Sequence, residues 1–239
     1  MFARRFYRDW VGMKNLQHFA AKVRETDLLI ACDTGLSLDI EDELRKIRAP
    51  LEKYISNHPQ FATSLKPVEV DANSPDIVKK MSQASKSWSV GPMAAVAGAI
   101  AQMLGKRILC QSKNVIIENG GDIYAKLTFP LQCGLYAGGK SPFTGKIKFE
   151  VDAINGIAIC TSSGTVGHSL SFGKADAVVA IADDASFADA AATSLANLVR
   201  TEDYIDEAIS IVERKKNLKG LIVCIGEKIG FWGSIKLLK

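Results

Sequence analysis

Apolar positions along this chain recur with two different periods, and the changes of period divide it into strands and helices. Over 2–11 aromatic and basic residues alternate, the period-two pattern of an amphipathic edge strand. Segments 19–25 (FAAKVRE) and 27–32 (DLLIAC) read as two further strands, followed by a turn at 33–36 (DTGL). From 39 to 56 the period lengthens. Ile40, Leu44, Ile47, Leu51, Tyr54 and Ile55 fall mostly at steps of three and four, which predicts an amphipathic helix interrupted at Pro50. The polar stretch 57–74, with Pro59 and Pro67, reads as a loop or lid. A second helix is expected over 75–85, with Ser74 as its cap and Pro75 at its first position.

The segment 91–104 (GPMAAVAGAIAQML) predicts a helix of another kind. It is almost wholly apolar and built of small residues, so it is expected to be buried and packed close to other backbone. Short strands follow at 114–118, 122–127, 132–136, 145–151 and 156–160, separated by the turn signals NGG, AGGKSPFTG and NG. An apolar strand at 175–182, a small-residue helix at 187–198, a helix at 203–214 and a buried strand at 220–225 complete the pattern. Strands in runs and helices in runs predict an α+β fold, read as one domain over 1–239. A small-residue helix followed by an apolar strand occurs at 91–118 and again at 187–225, a loose internal echo for which duplication is one reading and not the favoured one.

Composition narrows the partners. The net charge of +4 comes from scattered Lys and Arg, which argues against a nucleic-acid interface. No run of about 18 apolar residues exists to cross a membrane, and MFARRFYRDW lacks the apolar core of a signal peptide. Five cysteines, an odd number with no C-x-x-C spacing, lie mostly in apolar runs, as reduced cytoplasmic thiols do. The edge strand at 2–11 is the place where a homo-oligomer would pair.

Three segments carry candidate chemistry. In Glu118–Tyr124 (ENGGDIY), Gly120 and Gly121 allow positive φ and close ligand approach, flanked by Asn119 and Asp122. The same residues also read as an ordinary hairpin turn. In 160–173 (CTSSGTVGHSLSFG), six hydroxyls and three glycines follow an apolar strand. Thr161, Ser162, Ser163, Gly164 and Ser169 would offer N–H and O–H donors to a phosphate, and His168 would serve as acid–base group or ligand contact. No Lys follows in a G-K-[ST] step and no G-x-S-x-G elbow is present, so neither a Walker loop nor a hydrolase triad is read here. In 189–193 (DAAAT), Asp189 and Thr193 stand at i and i+4 on one helix face, two oxygen donors of the kind Mg²⁺ takes. The bland alternative is a carboxylate near a helix start with an incidental threonine.

Together these segments resemble the ApbE-like superfamily, best known for flavin transferases that bind FAD and use Mg²⁺ to move FMN onto a threonine or serine of a target protein. The family's N-x-G-G-D-I pattern looks like Asn119–Ile123, shifted by one residue. Its A-T-S-G turn looks like Cys160–Gly164 with one extra serine, and its A-D-A-x-A-T-[AS] helix matches Ala188–Ser194. The resemblance implies an ApbE-like fold with mixed or antiparallel sheets, Mg²⁺ on Asp189 and Thr193, and FAD or FMN as ligand. The helix at 91–101 stands where the family's G-x-x-A-K-G helix lends a backbone carbonyl to the metal, here without its Lys. The H-x-I-x-D-P-x-T-G segment of flavin transferases has no full counterpart; the interval reads GTVGHSLSFGKADAVVAIADD, with His168 standing alone. ETDLLI, GPMAAVAG, ENGGDI and CTSSGTVGHSLSFGKADA look most like a shorter branch of the superfamily, some members of which are associated with sulfur assimilation and homocysteine formation in anaerobes.

The leading expectation is a protein that binds a phosphate-bearing small molecule, a flavin or nucleotide, with Mg²⁺-dependent transferase chemistry in which Asp122 or His168 is the base. Two alternatives stand beside it. One is a non-catalytic accessory protein of sulfur metabolism that keeps the cleft but not flavin transfer; a reactive Cys160 thiol able to carry sulfur would mark it, and the apolar GIAI before Cys160 reads instead as the setting of an inert thiol. The other is an interaction module whose loops take no small ligand.

Overall fold

The computed structural model describes residues 16–33, 35–165 and 172–238. The strand expected at 2–11, and with it the proposed oligomer edge, lies outside these residues. So do His168 and Ser169.

Eight strands form the main sheet, in the order β1 (Gln17–Val23), β2 (Thr26–Cys32), β3 (Val115–Asn119), β4 (Asp122–Lys126), β7 (Ile157–Ser162), β8 (Ala177–Ala182), β9 (Gly220–Ile225) and β10 (Lys228–Gly233). Every neighbouring pair in it is antiparallel. A smaller antiparallel sheet contains β5 (Leu131–Gly134), β6 (Lys148–Val151) and β11 (Lys236–Leu238). The helices are α1 (Ile40–Asn57), the short α2 (Gln60–Thr63), α3 (Asp76–Trp88), α4 (Val96–Ile108), α5 (Ala185–Leu198) and α6 (Tyr204–Lys215). This is the α+β arrangement expected from the sequence.

Side-chain alternation along the main sheet produces two separate cores. Ile117, Tyr124, Ala158, Cys160, Val178 and Ala180 face the helices. Ile116, Ile123, Ala125, Ile159, Val179 and Ile181 face the small sheet, where Leu131, Cys133, Phe149 and Val151 meet them. The central strands are therefore apolar on both faces, which is why β8 reads AVVAIA without a polar residue and is buried throughout.

Several elements differ from expectation for identifiable reasons. Pro50 lies inside α1 and does not end it. The buried stripe Ile40, Leu44 and Ile47 continues across it to Leu51, so packing outweighs the one intrahelical bond that proline removes. Pro75, not Ser74, occupies the cap position of α3, and no side chain caps that helix. The polar stretch after α1 contains α2, anchored by the fully buried Phe61, whose ring meets Tyr54 edge-on at 5.3 Å. The small-residue helix begins as a 3₁₀ turn over Pro92–Ala95 before α4 proper. β10 and β11 were not legible in GEKIGFWGSIKLLK, where glycines break the apolar alternation.

Candidate functional site

The candidate site lies at the end of the main sheet, beneath the start of α4 and the first turns of α5. Gly120 and Gly121 link β3 to β4 with φ of +70° and +108°. Both values are positive, as a two-residue type I′ turn requires, so this segment is the hairpin that one reading of the sequence allowed. Open space surrounds both glycines on their Cβ side. The pair that closes the hairpin is Asn119 opposite Asp122.

Register and alternation then sort the candidate residues onto two faces. Asn119 lies two residues beyond Ile117 and Asp122 two before Tyr124, so both face the helices, as Cys160 and Ser162 do. Glu118 and Thr161 follow Ile116 and Ile159 onto the opposite face. The hydroxyl run read as one loop is therefore split. Thr161 and Ser162 belong to the end of β7 and diverge; only from Ser163 does the chain leave the strand.

On the helix face the carboxylates are closely held. Asp122 Oδ1 accepts from Thr161 N at 3.1 Å. One step beyond the Ile123–Ile159 pair, Cys160 comes opposite Asp122, and its thiol reaches that carboxylate. The same sulfur lies 3.5 Å from Ala185 O, so its single proton serves one acceptor at a time. Asp189 Oδ2 accepts from Gly98 N at 3.0 Å, and the Ala97 amide also hydrogen-bonds to this carboxylate. These are the second and third N–H groups of α4, whose own flanking residue Ala95 supplies no cap. Asp189 thus caps α4 from another helix and sits at the positive end of its dipole. Asn119 Nδ2 donates to Ala97 O at 3.0 Å, tying the hairpin to the same turn.

The two helices approach closely here because Gly98 has no side chain. A Cβ there would lie 2.2 Å from Ala185 O. Alanines at 185, 188, 190, 191 and 192 keep α5 equally thin, and all are fully buried. Thr193 follows Asp189 by one turn of α5 and is half-buried.

Burial sets the electrostatics. It pushes the Asp122 carboxyl up to about 7, with the Glu118 charge adding to the shift and bonds from Thr161 and Cys160 opposing it. Asp189 is raised well above the ordinary aspartate range, first by burial and then by Asp122, against the bonds from Gly98 and Ala97. Burial also raises the Cys160 thiol, reinforced by Asp122 and Asp189. Cys160 is fully buried and held protonated, which is the state of an inert thiol.

The hydroxyl segment has spent several of its donors locally. Gly164 N donates to Ala175 O at 2.9 Å, and Thr165 N to Ser163 Oγ at 3.0 Å. Thr165 Oγ1 reaches Asp176 Oδ1 at 3.3 Å. A Cβ on Gly164 would stand 2.3 Å from Gly173 O, so this glycine is required by chain packing and not only by a ligand. Thr161 and Ser162 bring their hydroxyls to the sheet end itself. Sequence reasoning missed the roles of Ala97 and Gly98, because the signal for them is a spatial pairing of α4 with α5.

Hard oxygen donors, the Asp189 carboxylate with the neutral Thr193 hydroxyl one turn on, suit a hard divalent cation such as Mg²⁺. Two carboxylates whose charged forms burial opposes supply the electrostatic reason for one. Among the described residues, no group of three or more His, Cys, Asp or Glu forms a ready-made metal cage. Any cation would therefore complete its shell with hydroxyl, carbonyl or ligand oxygens.

Comparison with known proteins gives the chain its family and its fold relatives. A family model described as "AbpE bacteria" matches residues 8–217. A UPF0280 protein of Methanocaldococcus jannaschii is 42% identical over 220 residues, covering 89% of each chain. Another, from Methanosarcina acetivorans, is 40% identical over 224 residues, covering 92% of this chain and 87% of its own. Among solved structures, the apo flavinyl transferase ApbE of Pseudomonas stutzeri superposes with a TM-score of 0.61 at 13% identity, over 92% of this chain and 94% of its own. The flavin transferase ApbE of Vibrio cholerae gives 0.60 at 11% identity, over 92% and 97%. At these identities the structural likeness is one of fold.

Proposed function

This chain belongs to the family described as AbpE bacteria and is similar to UPF0280 proteins, and from that membership and the site's geometry we propose that it binds a flavin or nucleotide phosphate through a divalent cation. The observation that carries the reading is the buried pair Asp122 and Asp189 at the amino end of α4. Burial is the largest influence on both carboxyls; Glu118, the Cys160 thiol and the Thr161 amide also act on Asp122, and Asp122 with the Gly98 and Ala97 amides on Asp189. Burial opposes the ionised form of both carboxyls, and a Mg²⁺–phosphate complex brings the positive charge that favours it, which a bare phosphate does not.

In this reading Asp189 and Thr193 hold Mg²⁺, which when bound neutralises phosphate charge. Ser162, on the helix face with the two carboxylates, contacts the phosphate with Ser163 beyond the strand end, while Thr161 on the opposite face and Gly164, whose N–H is bonded to Ala175 O, do not; Asn119, Gly120 and Gly121 line the open hairpin beside the ligand. Asp122, its carboxyl pushed up to about 7, is suited to take a proton from a hydroxyl acceptor near neutral pH, with His168 as the second candidate base. The reaction is attack of such a hydroxyl oxygen on the FMN-side phosphorus of FAD: the new P–O ester bond forms as the pyrophosphate P–O bond breaks, AMP leaves, and the hydroxyl proton passes to the base, within one domain of the ApbE-like fold. The sulfur-carrier reading loses support from the burial of Cys160.

A thermal-shift panel tests the proposal, using FAD, FMN, ATP and S-adenosylmethionine, each with and without Mg²⁺. A ligand at a hundredfold excess over its Kd adds about 2.7 kcal/mol to the native state. The expected result is stabilisation by FAD only when Mg²⁺ is present. Shifts that ignore Mg²⁺, or no shift with either flavin, would reject it.

A further inference from the structure

One side chain outside the acid pair joins the two helices that build the site. Gln102 lies on α4, one turn after Gly98, and is 6% exposed. Its Nε2 donates to Asp183 O at 3.2 Å, and its Oε1 accepts from Ala185 N at 2.9 Å. Both partners stand where β8 ends and α5 begins. Ala185 is in turn one helical turn before Asp189, on the same face of α5.

The contacts form a ladder of two rungs between helices. The first is Gln102 with the Asp183–Ala185 backbone, and the second is Gly98 N with Asp189 Oδ2. We infer that Gln102 is the positioning residue that sets the spacing and register of α5 on α4, and so fixes where Asp189 presents its carboxylate. Its amide plane satisfies an acceptor and a first-turn donor of the β8–α5 junction together, which no aliphatic side chain can do. The absent Cβ at Gly98 leaves no slack on the other rung, since the α5 backbone already fills that space. A displacement of α5 by about 1 Å would carry the 3.0 Å Asp189 bond beyond hydrogen-bonding range. For its effect on a cation, the inference rests on the proposed role of Asp189; for its effect on helix register, it does not.

The test compares wild type with Gln102→Leu, which removes both bonds, and Gln102→Glu, which keeps the acceptor for Ala185 N. Native-state hydrogen exchange reads the register without any ligand. Gly98 N–H should exchange at least tenfold faster in Gln102→Leu, with Ile159 and Val179 in the sheet unchanged, and Gln102→Glu should recover part of that protection. Calorimetric titration with Mg²⁺ in the presence of FAD should show affinity lower by about tenfold or more in Gln102→Leu at a matched melting profile, as loss of a ligand-orienting partner does. Unchanged Gly98 protection in a folded Gln102→Leu protein would overturn the inference. If that variant does not fold, unchanged Gly98 protection in Gln102→Glu overturns it equally. A wild type that takes up no Mg²⁺ would remove the cation reading and leave the positioning role to be decided by exchange alone.

Discussion

Replacing Gly98 by alanine sets two effects of opposite sign against each other. Alanine is the better helix former by about 1 kcal/mol, so in an exposed helix the change would stabilise. At position 98 the new Cβ would stand 2.2 Å from Ala185 O and 2.7 Å from its carbonyl carbon. The obstacle is backbone, and it is pinned by the bond from Ala185 N to Gln102, so it cannot rotate away as a side chain would. Overpacking costs typically 1–3 kcal/mol, and a fixed carbonyl puts this case at the upper end. The net expectation is a loss of about 2 kcal/mol. For a chain of this size that lowers Tm by about 4–8 °C, measured by circular dichroism or calorimetry. Gly139→Ala is the control. Nothing lies within 4 Å of a Cβ there, so its stability should change by less than about 0.5 kcal/mol. A Tm for Gly98→Ala at or above wild type would refute the close α4–α5 approach on which the site is built.

Other outcomes follow from the same geometry. N-Ethylmaleimide on the native protein should modify Cys110, which is exposed, and spare Cys160, which is buried; mass spectrometry of the peptides decides, and an adduct on Cys160 would revive the sulfur-carrier reading. The raised Asp122 carboxyl makes the folded chain bind more protons than the unfolded chain between its ordinary value of 3.8 and about 7. Without divalent cations, stability should therefore fall as pH rises through that window, by at most about 1.4 kcal/mol per pH unit, and Asp122→Asn should flatten the profile. A profile unchanged by Asp122→Asn would contradict the buried, uncompensated carboxylate. In the same buffer Asp189→Asn should keep or raise Tm, because it removes a charge that burial and Asp122 oppose; a loss of several degrees would mean the charge is already compensated.

What could be read from sequence divides along physical lines. β2, β8 and β9 were legible because DLLIAC, AVVAIA and GLIVCI are short apolar runs bounded by turn residues. The small-residue helices announced their own close packing, since only glycine and alanine let backbones meet as they do at Gly98 and Ala185. The hairpin glycines were visible in Asn119–Asp122, where two adjacent glycines favour paired positive φ. Division of Thr161 from Ser162 was not visible, because it depends on where β7 stops, and strand ends answer to partners and not to local composition. Nor was the capping of α4 by Asp189. It joins residues 91 positions apart, and the local reading saw a carboxylate paired with Thr193 on one helix face, or set near the start of its own helix, with no link to α4. Gln102 was hidden for the same reason, as one polar residue in an apolar helix with partners more than 80 residues on.

The account turns on whether Asp189 draws a cation, and through it a flavin phosphate, into the site. Isothermal titration of Mg²⁺ into the full-length protein with FAD present, repeated with Asp189→Ala, measures this directly. The account predicts saturable Mg²⁺ uptake that requires FAD for full affinity and is lost in Asp189→Ala while the variant stays folded. Identical Mg²⁺ binding by both proteins, or FAD binding that is indifferent to Mg²⁺, would contradict it.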